Sequence, residues 1–377
     1  MITLFSMSKY WKDAASVLVL VRSLLHNSLS KGNNARTAVK CPADYKILVV
    51  KRAAKSSFMP NGYVFPGGLC HEADASKEWL ELYNTINVGP SRTTYPFSPE
   101  KDVNKIRSNN CLSFNGNGDL PKPLSLRITA IRELFEESGI LLVRSKRIDE
   151  KTDYFSSTRA SYLYSDEIIE WQSRIQQDPK EFINFCHHFN CVPDVWSLKD
   201  WSFWLTPLHV SSKRFDTAFF ITALSHIPPT RPDEKEVSDL KWSTPTELLE
   251  NHSLQKLWLP PPQFYELSRI RDNFTKIQKA MEHSSSWVGC DRWMPVEIKA
   301  NDGRVYLLPG DEVYPKVPDY EGSKVNNDTN ETAGAQSMKE LRANSSRLHR
   351  FEIRGAHDQD IVISHFPSTD HVYPKKK

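Results

Sequence analysis

The sequence predicts an α/β fold in which a mixed β-sheet lies between helices. Apolar, β-branched runs recur at strand length, as in "AASVLVLVRS" (14–23) and "YKILVVKRA" (45–53). One stretch, Leu126 to Phe135, switches to helical spacing, with Ile128, Ile131, Leu134 and Phe135 on one face. Strand-like segments flank it, "YVFPGGL" before and "ILLVRS" after. Strand, glycine turn, insert, helix and strand in that order place a helix across a sheet.

The individual elements follow from local chemistry. The polar "HNSLSKGNNART" between the first two runs reads as an exposed loop. At Pro66-Gly67-Gly68 the chain must turn sharply. Residues 75–125 change character: "SKEWLELYNTI" suits a short helix, while "GPSRTTYPFSP" and "SNNCLSFNGNGDLPKP" read as an insertion. Gly139 is placed as the left-handed cap of the 126–135 helix. Residues 166–192 read as helical, "WSFWLTP" and "RFDTAFFITAL" as strands, and "TPTELLEN" as a helix with Thr244 or Thr246 at its start. Pro260 to Pro262 make a stiff entry into a further helix. Beyond 285 come hairpin pieces with Asp302-Gly303 as a turn, and 318–348 reads as polar and mobile. The domain reading is a core over 10–255 carrying the 75–125 insertion, then an extension over 256–377.

Composition excludes several classes. Among 377 residues, 39% are hydrophobic and 25% charged, with mean hydropathy −0.52, which is globular rather than disordered. No apolar run reaches the length of a membrane span, and Arg22 interrupts the best one. A formal charge of +3 is too mild for a nucleic-acid surface, so no nucleic-acid partner is expected. The six cysteines are scattered, which fits a reducing compartment. "CHHFNC" (186–191) lacks a second ligand pair at zinc spacing and reads as a helix with buried cysteines and half-exposed histidines.

The segment "RELFEESGI" poses the chemical question. Glu133, Glu136 and Glu137 share one helix face, where like charges repel by a few tenths of a kcal/mol per pair. Either that face is simply solvated or a positive charge meets it. Together with Gly68 the segment follows G-x5-E-x7-R-E-U-x-E-E-x-G-U, with U a bulky aliphatic residue. Arg132, Glu133, Leu134, Glu136, Glu137, Gly139 and Ile140 fill its second half, and Asp74 stands where the pattern has Glu. The stretch between Asp74 and Arg132 is 50 residues longer than the pattern's spacing. Loop closure tolerates this, because its cost grows only logarithmically.

This resembles the Nudix box, the signature of hydrolases that cleave a diphosphate linked to a nucleoside. The resemblance implies a Nudix α/β/α sandwich with a mixed β-sheet, a large insertion inside the box and a C-terminal extension. It implies Mg²⁺, for which Mn²⁺ substitutes, held by Glu133, Glu136 and Glu137. Such a hard ion prefers oxygen ligands, and it acidifies a bound water that attacks phosphorus. Arg132 is expected to face away from the cluster's centre and, by the resemblance, to orient a glutamate. Glu236, with Glu234 as rival, stands where the family places a loop glutamate as extra ligand or base.

Further strings, above all "RFDTAFF" and "LWLPPPQFYEL", look like the nudix motif 19 branch of coenzyme A and acyl-coenzyme A diphosphatases. The resemblance thus implies coenzyme A or its esters as substrate, giving (acyl-)4′-phosphopantetheine and adenosine 3′,5′-bisphosphate. ADP-ribose, a dinucleotide or an RNA cap require the same box, and a non-catalytic scaffold is a separate reading. Phosphate groups call for cations: Lys51, Arg52 and Lys55 before the glycine turn, Lys213 and Arg214 before a later strand, with Gly67 and Gly68 beside them. For each base the alternative is an ordinary exposed charge. The branch is largely peroxisomal, but "HVYPKKK" does not match a Ser-Lys-Leu-like signal, which leaves mitochondrion or cytosol open. The insertion, with Trp79, Tyr83, Tyr95, Phe97 and Phe114, and the C-terminal extension are expected to select the substrate. For any one of these aromatics the alternative is plain packing.

Overall fold

A computed structural model describes residues 11–23, 43–85, 120–145, 162–163, 166–207, 213–233, 235–286, 292–319, 336–364 and 371–375. Glu234, Tyr95, Phe97 and Phe114 lie outside the described residues.

The central strand is β1 (Lys12–Arg22), and its neighbours explain why it is apolar almost throughout. It runs parallel to β9 (Phe215–Leu224) from Lys12 to Val21. On its other edge, one half pairs antiparallel with β2 (Tyr45–Arg52) and the other half with the short β4 (Gly67–Leu69). Outside these lie β3 (Tyr63–Val64) and β10 (Val237–Ser243) against β2, then β8 (Lys199–Leu205) and β11 (Arg292–Trp293) beyond β9. The sheet is therefore mixed, with eight strands among the described residues.

Strand periodicity sends alternate β1 side chains to opposite faces. Ala15, Val17, Val19 and Val21 join one core with the helices α1 (Glu78–Thr85), α2 (Lys122–Ser138), α3 (Asp166–Gln177) and α4 (Glu181–His188). Leu18 and Leu20 join a second core with α5 (Pro245–Ser253), α6 (Pro261–Asn273) and α7 (Ile277–Ser286). This is the α/β/α arrangement. Each Val or Leu so buried contributes roughly 1.5–3 kcal/mol. A three-stranded sheet of β5 (Leu141–Ser145), β6 (Tyr162–Leu163) and β7 (Cys191–Pro193) extends the first layer. An antiparallel sheet of β12 (Val296–Ala300), β13 (Gly303–Leu307), β14 (His349–Gly355) and β15 (Asp358–Ile363) packs Tyr306, Phe351 and Ile363 into the second core.

Several expectations need correction. Helix α2 begins at Lys122, because Pro121 at its N-cap starts it and Leu124 already reaches the core. The helical reading of 166–192 breaks into α3, α4 and β7: α4 ends where Asn190 takes a positive φ of 49°. Cys191 is therefore a buried strand residue, Cys186 a buried helical one, and both histidines between them are exposed. The C-terminal hairpin pairs Ala300 with Gly303, so its two loop residues are Asn301 and Asp302. Within 318–348 a helix, α8 (Met338–Ala343), is nucleated by a capping box between Ser337 and Glu340. Strand β10 carried no strand signal because, at the sheet edge, most of its side chains are half-exposed. No helix among the described residues is long and apolar enough to cross a membrane.

Candidate active site

Gly67 and Gly68 are where the chain passes closest to the sheet. A Cβ on Gly67 would lie 2.3 Å from the Ala15 carbonyl oxygen, and one on Gly68 would lie 2.4 Å from Glu133 Oε2. Only glycines let the turn lie flat on β1 and beside the helix. The Gly67 N–H donates to Glu137 Oε2 at 3.0 Å, which ties the turn to α2.

Helix α2 then stops at Gly139, whose φ of 74° is left-handed, as the sequence implies. Two of its last carbonyls, Phe135 O and Glu136 O, lie within hydrogen-bond distance of Gln172 Nε2, which also faces the Arg231 carbonyl of the neighbouring loop. Backbone N–H groups of Arg231 and Asp233 donate to Ser138 O and Glu137 O. This docks Arg231 and Asp233 on the helix end, close in sequence to Glu236, which lines the cavity described below.

Arg132 lies inside the cluster, contrary to the expectation that it faces away. It is almost wholly buried and grips Asp74 two-pronged, Nε to Oδ1 and Nη2 to Oδ2, both at 2.8 Å. Its Nη1 reaches Glu136 Oε1 at 2.6 Å and Glu133 Oε1 at 3.0 Å. Asp74 is itself buried, accepts from Thr129 Oγ1 and the His71 N–H, and sits in a short 3₁₀ turn capped by His71. A shorter acid in place of the pattern's Glu thus still meets the arginine.

Five carboxylates (Asp74, Glu133, Glu136, Glu137 and Glu236) gather here against the guanidiniums of Arg132 and Arg52. Burial pushes the Glu133 carboxyl up, against the opposing pull of Arg132. Burial also raises Glu136, to about 8, and raises Glu137, with the Glu133 charge adding to it. Arg52 acts on Glu137 in the other direction.

A cavity of about 920 Å³ opens onto this cluster. Glu133, Glu137, Glu236, Gly67 and Gly68 line it, as do the cations Arg52, Arg214, Lys213 and Lys12. Arg52 is braced by Ser56 Oγ and the Phe58 carbonyl, and Lys213 Nζ donates to Ser57 Oγ at 2.7 Å. Lys51 and Lys55 do not line it: Lys51 is Arg52's neighbour on the strand, so its side chain leaves on the other face. Glu136 and Arg132 do not line it either, being turned to each other behind the cavity wall.

A family model described as the NUDT19 Nudix domain matches residues 11–270, and one described as the NUDT19 C-terminal domain matches 297–364. A Xenopus laevis protein named acyl-coenzyme A diphosphatase NUDT19 is 36% identical over 97% of this chain and 96% of its own. The Homo sapiens protein of the same name is 33% identical over 97% and 95%. The chain belongs to the Nudix hydrolases, in the NUDT19 family. A Nudix hydrolase crystal structure from Alicyclobacillus acidocaldarius superposes with a TM-score of 0.47 at 19% identity, over 72% of this chain and 96% of that one. That likeness is too loose to decide anything.

Nudix hydrolases use divalent metal ions, and the donor set here suits one. It is all oxygen, it carries excess negative charge, and its carboxyls are pushed up by burial and mutual repulsion. The side chains do not form a ready-made cage: among the described residues no three His, Cys, Asp or Glu groups converge on one point. Arg132 holds Glu136 and draws on Glu133, and the Gly67 N–H holds Glu137. A small hard ion does not need a full cage, since one or two carboxylates with waters and substrate phosphates complete its shell.

The cavity also has a side that sequence reasoning missed: Phe58, Trp204, Gln263, Tyr306, Phe351 and Ile353 among others. The sequence points to this side only through Pro261, Pro262 and Gln263 of "LWLPPPQFYEL" and, without naming residues, through the expectation that the C-terminal extension selects the substrate. The described part of the insertion is not there. Trp79 packs on Phe182 with its Nε1 donating to Ala73 O, and the Tyr83 hydroxyl donates to Pro193 O. Both rings are core residues, so the plain-packing alternative holds for them.

Proposed function

We propose that this Nudix hydrolase cleaves the diphosphate of coenzyme A and acyl-coenzyme A with Mg²⁺, for which Mn²⁺ substitutes, releasing (acyl-)4′-phosphopantetheine and adenosine 3′,5′-bisphosphate. One observation carries the reading: a single cavity joins the carboxylate cluster to four cations and to an extended apolar wall. A ligand with a diphosphate, a further phosphate and a long uncharged arm makes use of all three. Relatives named acyl-coenzyme A diphosphatase that match nearly the whole chain support the same reading.

In this reading Glu133 and Glu137 hold the ion, with Glu136 behind them and Glu236 across the cavity. A divalent ion held there would supply Lewis-acid polarisation of the phosphoryl oxygens and lower the pKa of a nearby water. Arg52, Arg214, Lys213 and Lys12 bind phosphate oxygens and offset their charge. Arg132 and Asp74 touch no substrate and keep the α2 carboxylates oriented. Glu236 or a helix glutamate takes the proton as a water oxygen bonds to phosphorus and the bridging P–O bond breaks. Attack at either phosphorus yields the same two products.

The test is a panel of coenzyme A, acetyl-coenzyme A, ADP-ribose, NADH and capped RNA with Mg²⁺, read by chromatographic identification of products. Preferential release of adenosine 3′,5′-bisphosphate from the coenzyme A compounds is expected. Faster turnover of ADP-ribose, NADH or cap would overturn the reading.

A further inference from the structure

We infer that α6 and the C-terminal sheet form the seat for the acyl-pantetheine arm, with Gln263 positioning its amides and Ile353 limiting the acyl chain. This rests on the proposed coenzyme A reading and assigns the arm to residues outside the Nudix box.

The wall is chemically distinct from the rest of the cavity. All four lining cations come from β1, β2 and the approach to β9, and none among the described residues comes from α6 or the C-terminal sheet. A helix N-terminus facing a cavity ordinarily attracts phosphate through its free N–H groups. Helix α6 begins at Pro261-Pro262, both of which line the cavity and neither of which has an N–H. The helix start is therefore an apolar rim rather than an anion site.

Behind that rim stands Gln263. It lines the cavity, only 7% of it is exposed, and its buried Oε1 has no hydrogen-bond partner. A buried amide oxygen without a donor is unfavourable, because it has given up its water without a replacement. It awaits a group with amide polarity, and the pantetheine arm carries two amides along an otherwise apolar chain. Rotation about its last torsion lets the carboxamide offer either its oxygen or its nitrogen to them.

Beyond Gln263 the C-terminal sheet closes the cavity. Tyr306 of β13 pairs in register with Phe351 of β14, and Ile353 lies two residues further along β14 on the same face. The Tyr306 hydroxyl donates to Glu297 at 3.2 Å, which leaves its ring for the cavity. Phe351 is fully buried against Trp204 and forms the floor, whereas Ile353 is half-exposed at the edge. An acyl chain leaving the arm meets Ile353.

Kinetics of the full-length enzyme with acetyl- and dodecanoyl-coenzyme A test this. Ile353→Trp, which narrows the edge without filling a packed core, lowers the ratio of kcat/KM for dodecanoyl over acetyl substrate at least tenfold. Ile353→Ala raises it. Gln263→Met, which keeps the shape and removes the amide, raises KM about three- to tenfold for both substrates and leaves kcat within twofold. The inference is overturned if the chain-length ratio of the folded Ile353→Trp enzyme stays within twofold of wild type. If that variant does not fold, an unchanged ratio in Ile353→Ala overturns it equally. Failure of wild-type enzyme to cleave either ester would instead remove the coenzyme A reading beneath it.

Discussion

Glu133 and Glu137 share one helix, and Glu137 accepts a hydrogen bond from the N–H of Gly67, 70 residues earlier. Gln263, Tyr306 and Ile353, on the opposite side of the same cavity, come from a helix and two strands of the C-terminal third. The first group is compact in sequence, charged, and held by ion pairs that leave little freedom. The second is dispersed, apolar, and shaped by how a separate sheet docks on the core. The difference teaches that the charged and apolar sides of one cavity come from different parts of this chain, so that substitutions can alter one side without touching the other.

The largest effect expected is on the charged side. Glu137→Gln keeps an oxygen to accept from the Gly67 N–H and removes the charge, so the fold stands while kcat falls about a hundredfold or more. Turnover of coenzyme A under saturating Mg²⁺ measures it, and an undiminished rate would break the contrast at its strongest point.

Next is the support behind the helix. Asp74→Ala takes the two-pronged partner from the buried Arg132 and leaves it Glu133 and Glu136, for a loss of about 1–3 kcal/mol in stability. Denaturant unfolding reads that loss. In enzyme that remains folded, kcat falls more than KM rises, because Arg132 then swings the α2 carboxylates out of line.

A smaller effect tests the insertion directly. Leu120 N–H bonds the Ala75 carbonyl at 2.9 Å, which brings the chain back to a point one short helix, α1, before residue 86. Replacing residues 86–119 by a short Gly/Ser linker is expected to raise KM for coenzyme A less than threefold and to leave acyl-chain preference alone. A shift in that preference as large as the Ile353 variants produce would move selectivity back to the insertion.

The mildest effect concerns attachment of the C-terminal sheet. His252 of α5 is buried beside it, with Nδ1 accepting from the Leu259 N–H and Nε2 lying 3.0 Å from Gln359 Nε2. Burial pushes its pKa down from 6.5 to about 4, and His349 of β14 moves likewise. The unfolded chain then takes up the proton first, so stability is whole above about 6.5 and is lost as pH falls towards 4. Thermal unfolding followed across that range shows the slope, and His252→Gln flattens it. A variant as steep as wild type would show that this histidine does not set the acid limit.

Sequence alone determined the fold class, the run of β1, β2 and β9, the Gly139 cap and the box glutamates, because each of these is written in a short window. Strand periodicity, a helical stripe and a left-handed glycine are local physics, and carboxylates at i, i+3 and i+4 must share a face whatever surrounds them. Only the tertiary structure decided that Arg132 turns inward to Asp74, that Lys51 leaves on the face opposite Arg52, and that α6 and β14 meet at one cavity. None of these has a local signature. An arginine's direction depends on the acid that a distant turn offers it, and an apolar residue reads the same whether it faces a core or a ligand. The wall of Tyr306, Phe351 and Ile353 exists because a second sheet buries its apolar face against Trp204 and α6, a long-range choice that no window of sequence contains.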